Sequence, residues 1–482
     1  MTDILNQPIT RLASQLRAHT LTIPELIEEV YKNIERYNNE SNALITVVDK
    51  QTALKQAEVA QMNLDTATSP LFGLPYVLKD SYLTKGIKTT AASNVLKAYQ
   101  AQYDATVYKK LQDAGAILVG KANMDAWGHG ATSENTDFGS VKNAWNTSRV
   151  AGGSSGGCAV AVSLGMSMFA IGEDTGGSIR NPASWNNITG LKVTYGRVSR
   201  YGCIAYASSF DTVGPMAKTA EDCACVLEAI AGQDPYDASS AREAVPSYVQ
   251  AISKLKKETV VGVPKEFMTD VLKPEIKAGI EQVIDVLKDN GLKIKEISMP
   301  TLEFALPLYY LIGLSETSSN LARYDGVRYG GGRDLFRDEN KRRIMIGSYA
   351  LSAGYYDAYY RKALQARTLL IKDYNKALNE ADVLLMPVTT SVATKLGEKI
   401  EDPLENMMLD LFTTSQNPAG IPALAVPAGF DKENNPFGVQ FVGKKFSETT
   451  LLQLAYMYQQ KTDWHRKMPE FSTQNVVNKL RS

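Results

Sequence analysis

Between Ala151 and Arg180 the chain passes through one glycine–serine loop, an apolar run, and a second glycine–serine loop. The loops are Gly152-Gly153-Ser154-Ser155-Gly156-Gly157 and Asp174-Thr175-Gly176-Gly177-Ser178-Ile179-Arg180. Cys158 to Leu164 is apolar nearly all round, which suits a helix only when it is buried. Met168 to Ile171 reads as a buried strand that leads into the second loop. Such elements need cover on every side, so this stretch calls for α/β layers around a mostly buried sheet. Glycine lets backbone N–H groups converge on one point and lets a ligand come close. A serine in such a loop can be an exposed nucleophile with an oxyanion site beside it. Two such loops this close together indicate one active site.

The rest of the chain keeps the same alternation. Thr22-Ile23-Pro24-Glu25 is a capping box with Pro in the first turn, followed by apolar residues at helical spacing to Tyr37. Leu44 to Val48 reads as a strand and Thr52 to Met62 as a helix. Leu74 to Leu78 is a short apolar strand ending at Lys79-Asp80. Asp104 is expected to cap a helix ending near Gly115, with a strand at Ala116 to Val119. Thr219 to Ala231 reads as a helix with an N-cap Thr. Val260 to Val263, Pro274 to Asn290 and Leu292 to Ile297 form a strand–helix–strand unit. A long helix is expected near Asp357 to Leu378, then strands at Val383 to Met386, Ala423 to Val426 and Gly438 to Val442. The 482 residues would allow two or three domains, but no linker, charge block or repeat divides them. One large domain over 1–482 is therefore expected, with N-terminal helices over about 8–62 and the core over about 70–215.

Charge and cysteine content exclude several functions. Lys+Arg and Asp+Glu both number 52, so a main nucleic-acid-binding surface on this chain is not expected. Cys158, Cys203, Cys223 and Cys225 include no Cys-x-x-Cys pair, and only three histidines are present, so neither a metal site nor a disulfide framework is expected. The cysteines read as small buried hydrophobes in a reducing cytoplasm. No uncharged apolar stretch reaches membrane-spanning length, so no membrane association is expected.

Gly152 to Gly156 matches Gly-x-Ser-x-Gly, a nucleophile elbow that requires a downstream histidine. Only His465 follows, in a polar stretch, while His19 and His129 precede the serine. The loop is not a phosphate-binding loop either, because Cys158 and Ala159 stand where Lys and Ser/Thr are needed. A serine without histidine needs another base, and lysine serves when burial disfavours its charged form. Lys79 ends an apolar strand; on its own it also fits a lysine reaching out from a strand end.

Lys79 after its strand, Gly-Gly-Ser-Ser-Gly-Gly, and Asp-Thr-Gly-Gly-Ser-Ile-Arg together resemble the amidase signature family. The resemblance implies a single large domain whose central mixed sheet is covered by helices on both faces. It implies a Ser–Ser–Lys triad: Ser178 as the acylated nucleophile, Ser154 as the bridge and Lys79 as the base. It also implies a cis Gly153–Ser154 peptide and an oxyanion hole from the N–H groups of Thr175, Gly176, Gly177 and Ser178.

Lys192 to Gly202, Ser208 to Asp211, Leu227 to Pro235, Lys341 to Ile344 and Gly354 to Tyr360 are similar to the A subunits of tRNA-dependent amidotransferases. That resemblance implies hydrolysis of free glutamine, with ammonia passed to a partner that amidates Glu-tRNA(Gln), Asp-tRNA(Asn) or both. It implies a cytoplasmic heterotrimer with subunits B and C, in which the partner binds the mischarged tRNA and uses ATP and Mg, and this chain holds no cofactor. Arg343 and Asp410 would bind the carboxylate and ammonium of glutamine, with Tyr309 nearby. Read alone, Arg343 also fits a solvated helix face, Asp410 a surface charge and Tyr309 a core aromatic. A stand-alone amidase would share the triad, and an idle scaffold would share only the fold.

The chain departs from the family pattern at Glu173, where a small residue is usual. It departs also at Trp185-Asn186-Asn187, at Trp127 to Gly130, and in a shorter segment between Arg328 and Lys341. None of these is expected to touch the triad. Glu173 is expected to perturb the oxyanion loop or to face solvent.

Overall fold

The computed structural model describes residues 4–327, 331–398 and 402–471. Eleven strands make one sheet: β1 (Leu44–Val47), β2 (Pro75–Lys79), β3 (Ile117–Ala122), β4 (Phe169–Asp174), β5 (Thr189–Lys192), β6 (Thr212–Ala217), β7 (Val260–Pro264), β8 (Lys293–Ile297), β9 (Val383–Pro387), β10 (Ala423–Phe430) and β11 (Pro436–Gly443). Their order is β1-β3-β2-β4-β6-β5-β10-β11-β9-β7-β8. β2 runs parallel to β3 and β4, while β4 and β6 are antiparallel, so the sheet is mixed. Every residue of β2, β3, β4 and β6 is buried, which requires cover on both faces. The fold is the expected single α/β domain around a mixed sheet.

The helix Gly156–Ser163 is buried at every position, as its lack of a polar face requires. The capping box forms as expected on the helix Ile23–Ser41: the Thr22 side chain accepts the Glu25 N–H, and the Thr22 N–H reaches the Glu25 carboxylate at 2.9 Å. Thr22→Ala is expected to cost about 1 kcal/mol, read as a lower urea midpoint at unchanged slope. Asp104 does not cap its helix. The helix Thr106–Asp113 starts after Ala105 with no side-chain cap, and Asp104 instead accepts the Lys85 N–H at 2.6 Å. The long helix begins at Tyr360, not Asp357, because Tyr355 to Tyr359 form turns closing on Ser352 and Tyr355.

This topology creates the site. β2 and β4 are parallel neighbours, so their C-terminal ends lie side by side: Lys79 closes β2, and the second glycine loop leaves the end of β4. Strand ends of this kind are where open α/β sheets place their ligand crevices.

Candidate active site

The first glycine loop is held on all sides. Ser133 Oγ donates to the Gly152 carbonyl (2.8 Å) and accepts the Gly156 N–H (3.1 Å). The Asp125 N–H donates to the Ser154 carbonyl (3.2 Å), and the Gly157 N–H to the Asn123 carbonyl (3.1 Å). The Gly153–Ser154 peptide is cis. Gly152 has φ +79°, and a Cβ there would sit 2.6 Å from Asn181 Oδ1 and 2.8 Å from Pro182 Cα, so only glycine fits.

Ser155 ties this loop to the other. Its N–H donates to the Ser178 carbonyl (3.1 Å), and its hydroxyl bonds the backbone of Glu173. Lys79 Nζ lies 2.8 Å from Ser154 Oγ and 3.3 Å from the Glu173 carbonyl. Lys79 is fully buried, Ser154 is 1% exposed and Ser178 is 8% exposed. Ser178 is thus the most exposed of the three.

The second loop is shaped by Asp174 and Arg180. Asp174 accepts the N–H groups of Gly177 (2.8 Å) and Ile179 (3.1 Å) and binds the Arg180 guanidinium through both oxygens (2.9 and 3.0 Å). Arg180 also donates to the Gln416, Gln440 and Asn417 side chains and to the Thr413 carbonyl. Burial raises the Asp174 carboxyl, but Arg180, then Lys192 and the Ile179 N–H, outweigh it and hold the group down at about 2. The Gly177 N–H is committed to Asp174, which leaves Thr175, Gly176 and Ser178 as the expected oxyanion donors not engaged by that carboxylate.

Arg343, Asp410 and Tyr309 come together over this loop. A Cβ on Gly176 would lie 2.6 Å from the Tyr309 hydroxyl, so the ring rests on the loop itself. The Arg343 guanidinium is buried; it donates to Glu339 (2.7 Å) and the Tyr206 hydroxyl (3.1 Å) and lies 5.6 Å from the Tyr310 ring centre. Tyr310 in turn donates to Asp410 at 2.8 Å. Arg343 is no solvated helix face and Asp410 no surface charge. Burial pushes the Asp410 carboxyl up to about 7, against the Tyr310 hydrogen bond and Arg343. A cavity of about 570 Å³ lies alongside, lined by residues that include Asp125, His129, Glu339 and Arg342.

Several residues of this site escape the sequence. Asp125, held by the N–H groups of Ser133 (2.9 Å) and Asn135 (3.1 Å), backs the first loop. Tyr206, Tyr310 and Glu339 orient Arg343 and Asp410. Only Glu339 carries a signal, its i,i+4 spacing from Arg343. His129 is a wall residue: burial first, then Arg343, push it well below its usual value, and its ring bonds Thr317 (2.7 Å) and Asn340 (3.0 Å).

The departures behave unequally. Trp127 packs on Tyr324 and Phe336, and Trp185 donates to the Ser391 carbonyl at 3.0 Å. Asn186 supports the first loop through the Ala151 carbonyl (2.6 Å). Part of the shortened segment, 328–330, lies outside the described residues. Glu173 overturns the expectation for it: the side chain is buried and its Oε2 lies 3.5 Å from Lys79 Nζ, so this departure does touch the proposed base.

A strand-end lysine bonded to a loop serine thus lies next to a glycine-rich loop with a second serine, inside an α/β fold with one mixed sheet. The amidase family model matches residues 25–452, and the chain belongs to that family. Its relatives include the A subunit of the glutamyl-tRNA(Gln) amidotransferase of Halorhodospira halophila, 44% identical over 96% of this chain and 98% of that one. The corresponding protein of Roseiflexus sp. is 45% identical over 93% and 95%. Within the amidases the chain thus belongs with the glutamyl-tRNA(Gln) amidotransferase A subunits. Among solved structures, the one from Thermotoga maritima aligns with TM-score 0.79 at 35% identity, covering 94% of this chain and 97% of that one. A 6-aminohexanoate cyclic dimer hydrolase bound to its substrate aligns with TM-score 0.86 at 27% identity, covering 97% and 99%.

Proposed function

We propose that the chain is the glutamine-hydrolysing component of a tRNA-dependent amidotransferase. The observation that carries this is the buried Arg343 and Asp410 joined through Tyr310 above the Ser178 loop. A free amino acid presents one carboxylate and one ammonium, and a bidentate cation with a nearby anion matches both. A stand-alone amidase acting on an uncharged amide has no use for that pair. An idle scaffold has no use for a 2.8 Å contact between Lys79 and Ser154.

In this reading Lys79 draws a proton through Ser154 while Ser178 attacks the side-chain amide. The oxyanion is held by N–H groups of the second glycine loop. Lys79 returns the proton to the departing nitrogen, and ammonia leaves the γ-glutamyl ester. Lys79 then activates water in the same way, and glutamate is released. Ammonia serves a partner in a heterotrimer with subunits B and C; that partner is the main binder of the mischarged tRNA and uses ATP and Mg. No described helix is long and apolar enough to cross a membrane, and the reading places the enzyme in the cytoplasm.

Two measurements test the pocket. Arg343→Lys keeps the charge but loses the planar fork, so KM for glutamine is expected to rise about 10- to 100-fold, with a smaller change in kcat. An unchanged KM would remove Arg343 from the carboxylate site. Asp410 binds an ammonium only when ionised. With its carboxyl at about 7 in the free protein, kcat/KM for glutamine should fall about tenfold per pH unit below that value. Asp410→Asn should be weak at every pH and lack this limb; a limb that persists in the variant belongs to another group.

A further inference from the structure

Tyr206 connects the two halves of the candidate site. Its backbone N–H donates to Asp211 Oδ2 (3.0 Å), and Asp211 Oδ1 accepts the hydroxyl of Thr175 in the second glycine loop (2.7 Å). At the other end of the same residue, the Tyr206 hydroxyl accepts Arg343 Nη1 (3.1 Å). A continuous line of bonds thus runs from the loop that carries Ser178 to the guanidinium. We propose that Tyr206 is a specificity-determining strut: it sets the distance between Arg343 and the Ser178 loop and so selects an amide by the length of chain between its carboxylate and its amide carbon. The inference rests on the glutamine reading above and adds to it how glutamine is told from a shorter or longer homologue.

The geometry leaves this task to Tyr206. Among the described residues, the Arg343 guanidinium hydrogen-bonds two side chains, those of Glu339 and Tyr206. Glu339 lies one turn away on the same helix, Asp338–Ala350, so it fixes Arg343 relative to that helix and moves with it. Tyr206 belongs to the loop before β6, and β6 pairs with β4, the strand from which the Ser178 loop departs. Its bond therefore refers Arg343 to the catalytic half of the chain. A tyrosine suits this work because its ring is rigid: two side-chain torsions settle where the hydroxyl lies.

Both torsions are held. Tyr206 is buried, and the His129 ring packs edge-on against it, with ring centres 4.7 Å apart and planes at 67°. His129 is itself pinned, one ring nitrogen bonding Thr317 (2.7 Å) and the other Asn340 (3.0 Å). On the backbone, the Tyr206 carbonyl accepts Asn320 Nδ2 (3.1 Å), and Asp211 takes the next N–H, that of Ala207 (3.0 Å). A residue held at both ends and along its side transmits a position. Position matters, because misplacing a reacting atom by about 1 Å can cost on the order of 100-fold in rate. Asparagine is one methylene shorter than glutamine and homoglutamine one longer. With the carboxylate on Arg343, neither places its amide carbon where glutamine does.

Tyr206 acts through Arg343 and is a positioning residue, so its test needs a readout that a loss of packing would not move. The measurement is kcat/KM of the full chain for glutamine, asparagine and butyramide, the last lacking both the carboxylate and the ammonium. The wild type should prefer glutamine to asparagine by about tenfold or more. Tyr206→Phe keeps the ring and its packing but removes the acceptor of the Arg343 bond. It should narrow that preference about tenfold, with KM for glutamine rising more than kcat falls. Made in an Arg343→Lys background, the same substitution should add less than about twofold, because the strut has already lost the group it positions. Equal losses for both amino-acid amides, or independent losses in the double variant, overturn the strut. A wild type that opens butyramide as readily as glutamine sinks the glutamine reading and the strut with it. A wild type that prefers glutamine to butyramide, with a glutamine-to-asparagine ratio that Tyr206→Phe leaves unchanged, sinks only the strut.

Discussion

Ser178→Ala should lower kcat for glutamine hydrolysis by about 10⁴-fold or more, because it removes the hydroxyl proposed to form the ester. Ser178 is the most accessible of the three catalytic candidates, and its loop carries the backbone donors. The members act as one unit, so Lys79→Ala combined with Ser178→Ala should be hardly worse than Ser178→Ala alone. The measurement is glutamate release from purified chain, with circular dichroism confirming the fold. Retention of more than a tenth of wild-type kcat by Ser178→Ala would show that the nucleophile lies elsewhere. The first loop makes the sharper contrast. Its Gly-x-Ser-x-Gly pattern nominates Ser154, yet Ser154 faces Lys79 in the interior, as a bridge must.

The second large effect is on stability. Asp174→Ala leaves the Arg180 guanidinium buried with only neutral partners, and breaking such a pair typically costs about 3–5 kcal/mol. The expected result is a clearly lower urea midpoint, and lost activity as the Gly177 and Ile179 N–H groups lose their acceptor. The pH dependence has a definite sign. The folded carboxyl sits at about 2, below its ordinary 3.8, so its contribution is present above about pH 4 and is lost as the pH falls through 2. Wild-type stability should therefore fall across that interval, while Asp174→Ala lacks this component. A variant as stable as wild type at pH 7 would contradict the account of the network.

The elements legible in the sequence are those whose pattern is local. The all-apolar Cys158 to Leu164 stretch, the capped Ile23–Ser41 helix and the short strand before Lys79 follow from periodicity and caps. β6 does not, because Thr-Val-Gly-Pro-Met-Ala carries both strand-disfavouring residues. It is fixed instead by tertiary pairing with β4, Pro215 lying opposite Ile171. The site divides the same way. Lys79, Ser154 and Ser178 sit in contiguous motifs, whereas Tyr206 and Tyr310 acquire their places only when distant segments pack. Glu173 stands out in the sequence as an unusual residue, but whether it faces solvent or Lys79 depends on β4 being covered on both faces.

The order of parts along the chain has a consequence for how such an enzyme diversifies. Lys79, Ser154 and Ser178 all belong to the β2–β4 region, while Arg343 and Asp410 come from the helix Asp338–Ala350 and the segment after Met408. In the proposed reading the residues that open the amide and two of those that hold it thus come from separate parts of the chain. Substitutions at Arg343 and Asp410 should change which amide is held, whereas Thr413, Gln416 and Asn417 in the same later stretch also brace Arg180 and the second glycine loop.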